Sequence, residues 1–125
     1  MRVSAILGVL AALLFASGAA AQTPGDAEKG RTVFIQCKTC HSLDAGKNMI
    51  GPSLHGLFGR KSGSVEGYNY SAAMKNAGVI WSEETLRKYL PDPKAFVPGD
   101  KMTFVGVKDP ARLNDLIAYL KQATQ

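Results

Sequence analysis

The chain has 125 residues, of which 15 are Lys or Arg and 10 are Asp or Glu, with two cysteines and two histidines. That is the size of one small domain and a leader, with no internal repeat or low-complexity tract, and its modest basic excess is enough to steer an acidic partner. The basic residues are scattered and no nucleic-acid-binding motif accompanies them, which excludes nucleic acid as the partner.

Residues 1–21, "MRVSAILGVLAALLFASGAAA", have the three parts of a cleaved secretory leader. Arg2 supplies the positive start, Val3 to Phe15 the apolar run, and Ala19, Ala20 and Ala21 the small-residue cleavage site. The alternative is a membrane anchor formed by residues 3–21, since 19 uncharged residues stand there and roughly 17–25 suffice to span a bilayer. Ala, Ser and Gly dilute its second half, which favours cleavage. No cysteine sits at the cut to carry a lipid. Without the leader and its Arg2, residues 22–125 hold 14 Lys and Arg against 10 Asp and Glu, a formal charge of +4.

The mature domain reads as all-α. Thr23 or Asp26 caps a first helix whose stripe of Ala27, Gly30, Val33, Phe34 and Cys37 lies on one face. Gly30 is costly inside a helix, so another helix is expected to cross closely there. The loop 41–70 holds six glycines and no convincing period, and a structureless stretch that long suits a compact domain only if it wraps something. Ser71 to Ala77 is a short helix closed by Gly78. Ser82 to Leu90 is another, with Glu83 and Glu84 in its first turn, an inward face of Leu86, Tyr89 and Leu90, and a stop at Pro91. Trp81, just before it, is expected to be buried. At the far end Asp109 caps, Pro110 takes the first helical position, and Leu113, Leu116, Ile117 and Leu120 form the stripe that packs against the first helix. These elements make a helical shell short of its own core, as a protein built around a large apolar cofactor would be.

The segment "CKTCH", residues 37–41, concentrates both cysteines and one histidine. Three chemistries use such a cluster: a redox dithiol, a zinc site and a covalently held haem. The dithiol usually sits beside a strand-helix-strand unit, of which there is no pattern. Zinc has Cys37, Cys40, His41 and His55 to draw on, but the histidines are 14 apart where a Cys2His2 module leaves about three to five residues. Covalent haem uses every position: each thiol adds to one vinyl group, the two-residue gap sets their separation, and His41 turns its ring to the iron.

Four side chains compete for the sixth ligand position. Met102 lies in "VPGDKMTF", where Pro98 and Gly99 make a turn in an extended segment, and it stands 61 positions beyond His41, ample to reach the other haem face. Met74 falls within a helix, where a core role suits it better. Met49 and His55 are close to the attachment site and require the loop to cross the haem edge at once.

"CKTCH", "GPSLHGLFGRKSG", "WSEETLRKYL", "VPGDKMTFVG" and "LNDLIAYLKQAT" resemble the corresponding segments of class I cytochromes c, specifically the mitochondrial-like soluble cytochromes c of bacteria. The resemblance runs from about Gly25 to Thr124. It implies an all-α cytochrome c fold, with N- and C-terminal helices packed together and two to three shorter helices and long loops around one haem c. It further implies thioether bonds at Cys37 and Cys40, and His41 and Met102 as axial ligands. Pro52 matches the proline whose carbonyl receives the His41 ring proton. Arg60, Tyr70 and Trp81 match groups that hydrogen-bond a buried propionate, and Tyr89 the phenol near the methionine sulfur. His55 is expected to make a structural hydrogen bond.

The function the resemblance implies is a monomeric, soluble one-electron carrier of the periplasm, not an enzyme. It would dock transiently and electrostatically, passing electrons from a membrane cytochrome bc complex to a terminal oxidase or photosynthetic reaction centre. Iron ligated on both faces changes oxidation state with little movement and has no open position for substrate. The rival is a peroxidase-like haem enzyme whose Met102 leaves easily, with Lys101 as a replacement ligand at high pH. Two departures from the family bear on this. Gln36, Ala95 and the pair Asp109 and Pro110 stand where relatives often carry lysines, so the rim of Lys38, Lys47, Lys94, Lys101 and Lys108 is expected to dock more weakly and with less salt sensitivity. Asp100 stands where the family usually has a threonine facing a propionate, and a carboxylate there is expected to favour ferric iron and lower the potential.

Overall fold

The structure, a computed structural model, describes residues 24–125. The expected leader and the anchor alternative at 3–21, and Thr23 as a cap, lie outside the described residues. Five helices follow in order: α1 Ala27–Phe34, α2 Ala72–Asn76, α3 Glu83–Tyr89, α4 Pro93–Phe96 and α5 Pro110–Ala123. Among the described residues there is no strand, only an isolated antiparallel bridge between Lys61 and Ile80. No helix among them is long and apolar enough to cross a membrane.

Each helix starts where a short polar side chain satisfies its free amides. Asp26 accepts from the backbone N–H groups of Glu28 and Lys29, and Asp109 does the same for Ala111 and Arg112 ahead of Pro110. Ser82 and Thr85 form a reciprocal capping box at α3. Such caps contribute about 0.5–2 kcal/mol each. α2 ends as expected, with Gly78 in the left-handed region at φ +66°. α4 lies beyond the expected stop at Pro91. Asp92 caps it and Pro93 is its first residue, the same Asp-Pro start that opens α5.

α1 and α5 pack together, and Gly30 is the reason they come so close. A Cβ at Gly30 would stand 1.9 Å from the Asp115 carbonyl oxygen. The contact is bolted at both ends, by Asp115 Oδ1 accepting from the Asp26 amide at 2.8 Å and by the Phe34 and Tyr119 rings at 5.2 Å. Leu116 and Ile117 of α5 are fully buried. Yet Phe34, Leu86, Leu90, Leu116 and Leu120, which belong to the hydrophobic core, also line one large cavity. The helices therefore enclose a space instead of closing on a solid interior, as the glycine-rich loop implied.

Candidate functional site

The cavity measures about 490 Å³. α1 ends at Phe34 and hydrogen-bonded turns carry the chain on: Cys37 N–H donates to Phe34 O at 2.8 Å, and the amides of Cys40 and His41 both donate to Cys37 O, at 3.1 and 3.0 Å. This tight turn holds Cys37, Cys40 and His41 on the cavity wall. The Cys37 thiol is pushed up to about 11, by burial and then by the neighbouring Cys40. A redox dithiol needs the opposite, a thiol lowered toward neutrality. Zinc fares no better, because among the described residues no three His, Cys, Asp or Glu side chains converge on one point.

The His41 ring is fixed on two sides. Its Nδ1 lies 2.7 Å from Pro52 O, and because a carbonyl only accepts, Nδ1 carries the proton. Burial holds the imidazole below its ordinary value, against the opposing pull of the Pro52 carbonyl, so the ring is neutral at pH 7. Nε2 is then the nitrogen with a free lone pair, the form that binds a metal. Gly51 shapes the space beside the ring, since a Cβ there would fall 2.4 Å from His41 Cε1. Sequence reading passed over Gly51; its position directly before Pro52 was the available signal.

Of the four competitors for the second ligand position, Met102 and Met74 line the cavity, whereas Met49 and His55 are exposed and do not. Met74 is buried on α2, as a core side chain would be. Met102 follows the Val97–Asp100 turn and is held there. Its amide donates to Asp100 Oδ1 at 3.1 Å, and the Tyr89 hydroxyl lies 3.9 Å from its sulfur. Tyr89 also donates to Asp100 Oδ2. Burial, reinforced by Asp100, raises the Tyr89 phenol far above its ordinary value, so it always carries its proton.

Arg60, Tyr70 and Trp81 also line the cavity. Arg60 Nη1 donates to Ser53 O at 2.8 Å and His55 O at 3.1 Å, while its Nε is buried without a partner. Tyr70 Oη accepts from the Val65 amide at 3.0 Å, which leaves its own proton free to donate. Trp81 is buried with its ring 4.9 Å from that of Tyr89. His55 enters this network through its backbone, not through its imidazole: its amide donates to Ser53 Oγ and its carbonyl accepts from Arg60. The nine expected site residues thus all border one space.

Three of the five rim lysines are tied to loop carbonyls. Lys94 Nζ donates to Asp100 O at 2.8 Å, Lys108 to Val105 O at 2.9 Å, and Lys101 to Asn69 O with its ammonium 4.8 Å over the Tyr68 ring.

A family model described as cytochrome c matches residues 27–124. The chain belongs to the cytochrome c family. It is 51% identical over 115 residues to cytochrome c2 of Blastochloris viridis, a match covering 91% of each chain. Cytochrome c of Cochliobolus lunatus is 53% identical over 103 residues, 81% of this chain and 95% of that one. Cytochrome c-550 of Nitrobacter winogradskyi is 50% identical over 99 residues, 78% of this chain and 91% of that one. The five helices and their loops are accordingly the all-α cytochrome c fold, the cofactor is covalently bound haem c, and the protein belongs to electron transport.

The cavity fits that group. It lies in the size range of small-molecule sites, roughly 300–1,000 Å³, with apolar walls and a few placed polar groups. The two thiols and the neutral imidazole stand on one turn. A buried guanidinium nitrogen without a partner is costly unless an acceptor reaches it, and the Arg60 Nε calls for an anionic acceptor such as a propionate.

Proposed function

We propose that this protein is a soluble one-electron carrier, exported to the periplasm after removal of residues 1–21, with the haem joined to Cys37 and Cys40 and ligated by His41 and Met102. When bound, the haem supplies a reversible one-electron couple. The chain's part is to hold its surroundings still. The observation that carries the reading is the convergence of the fixed, neutral His41 and the anchored Met102 on the cavity that Cys37 and Cys40 border. Ligands held this firmly limit reorganisation and leave no position for substrate, which argues for a carrier over a peroxidase-like enzyme. Arg60, Tyr70 and Trp81 take the propionate end, where Arg60 Nε and the Tyr70 proton are available.

The electron would come from a membrane cytochrome bc complex and go to a terminal oxidase or a photosynthetic reaction centre, with Lys38, Lys47, Lys94, Lys101 and Lys108 steering transient docking of the monomer. The similarity to cytochrome c2 and cytochrome c-550 supports the carrier reading.

Absorption spectra of protein made in the periplasm with haem-attachment machinery test it. A low-spin c-type spectrum with the weak ferric methionine-to-iron charge-transfer band, lost in Met102→Ala, is the expected result. Spontaneous carbon monoxide binding by the ferrous wild type at neutral pH would favour the enzyme instead.

A further inference from the structure

Tyr89 has one hydroxyl proton and two neighbours that want it. Asp100 Oδ2 accepts it, and Met102 Sδ stands 3.9 Å away, at the outer limit for sulfur. A carboxyl oxygen is a far stronger acceptor than a thioether. The choice between them needs no movement of the ring, which packs against Trp81 at 4.9 Å and Phe96 at 6.2 Å. Only rotation about the phenolic C–O bond separates the two arrangements.

Asp100 is built to win that competition. It is 6% exposed. Its amide donates to Val97 O at 2.9 Å, its carbonyl accepts from Lys94 Nζ at 2.8 Å, and its Oδ1 accepts from the Met102 amide at 3.1 Å. With one carboxyl oxygen so engaged, the other is directed to Tyr89. The same side chain therefore positions the Met102 backbone and decides where the Tyr89 proton points.

We propose that Asp100 is a positioning residue that withholds the Tyr89 hydrogen bond from the Met102 sulfur, leaving the thioether fully available as an electron donor to iron and setting a lower reduction potential. This rests on the reading of Met102 as an iron ligand. A hydrogen bond to the sulfur would draw density from it, weaken its support of ferric iron and raise the potential. The contribution is separate from the charge of Asp100, because it acts through the Tyr89 proton.

The test is a cycle on the holoprotein, read by midpoint potential and by the position of the ferric charge-transfer band at one pH. Tyr89→Phe is made in wild type, in Asp100→Thr, whose shorter side chain keeps an acceptor for the Met102 amide but withdraws the one for Tyr89, and in Asp100→Asn, whose one carbonyl oxygen serves the Met102 amide and whose NH2 group stands as a donor where Oδ2 accepted from Tyr89. Tyr89→Phe is expected to lower the potential and move the band clearly in the Asp100→Thr and Asp100→Asn backgrounds. In wild type it is expected to produce a much smaller shift. Equal shifts in all three backgrounds, with the band present throughout, overturn the proposal and leave the Met102 ligand intact. Absence of the band from wild type overturns both.

Discussion

Gly51 touches the His41 ring along its edge, so that a Cβ at residue 51 would stand 2.4 Å from Cε1 and 2.7 and 2.8 Å from Nδ1 and Nε2. The imidazole has no room to retreat without giving up its 2.7 Å bond to Pro52 O. Gly51→Ala is therefore expected to lower the stability of the holoprotein by about 1–3 kcal/mol, the usual cost of overpacking, and to perturb the ligand spectrum. Denaturant midpoints and ferric absorption spectra measured together check this; a variant identical to wild type in both would refute the contact.

The crossing of α1 and α5 sets two effects against each other. Gly30→Ala gains about 0.5–1 kcal/mol of helix propensity, but its Cβ meets the Asp115 carbonyl oxygen at 1.9 Å, a backbone atom that cannot swing aside. Forced separation of the helices costs about 1–3 kcal/mol or more, so the clash wins and the variant is less stable. The expected reading is a lower urea midpoint with an unchanged slope.

Arg60 combines a charge with a structural fork. Arg60→Met removes its bonds to Ser53 O and His55 O as well as the positive charge beside the proposed propionate site. Loss of a nearby cation favours the ferric state, so the midpoint potential is expected to fall, and stability is expected to drop by about 1–3 kcal/mol. Arg60→Lys separates the two, keeping most of the potential while losing stability. A potential unchanged in Arg60→Met would rule out a propionate beside this residue.

Glu83 joins α3 to α5 through Lys121 at 3.1 Å and pairs with Arg87 one turn along its own helix at 3.0 Å. Arg87 first, then Lys121, hold its carboxyl below the ordinary glutamate value. A lowered folded value means that the contribution is fully present above the unfolded glutamate pKa of about 4.3 and is lost as pH falls through that toward the folded value. The side chain is 45% exposed, so the gain is about 0.2–1 kcal/mol at most. Glu83→Gln is expected to be slightly less stable than wild type at pH 7 and equal to it in strong acid, in urea melts at low salt, since guanidinium chloride would screen the pair.

How much of this was legible in the sequence depends on how far apart the deciding residues lie. Asp26, Ser71, Ser82 and Asp109 announce their helices because a cap acts on amides two or three residues away. "CKTCH" announces the haem because thiols and imidazole stand within one turn. The Asp92-Pro93 pair that opens α4 was just as local a signal, passed over because Pro91 read as a stop. Gly30 could be read as a crossing point, though nothing in its neighbourhood named Asp115 as what it meets.

The sequence by itself determined the helical class and the pairing of the terminal helices, because periodicity and capping act over a few positions, and the spacing within "CKTCH" pointed to the cofactor. Pro52, Arg60, Tyr70, Trp81, Tyr89 and the choice of Met102 came from the family resemblance. Tertiary structure alone decided what those residues do to one another. It joined Asp26 to Asp115 across 89 positions and His41 to Pro52 across 11. It left Arg60 Nε without a partner, took His55 away from the cavity, and turned Asp100 toward Tyr89 and the Met102 amide. The physical reason is that a hydrogen bond is made or lost within a few tenths of an ångström, and placement on that scale is fixed only when helices, loops and side chains pack against each other at once.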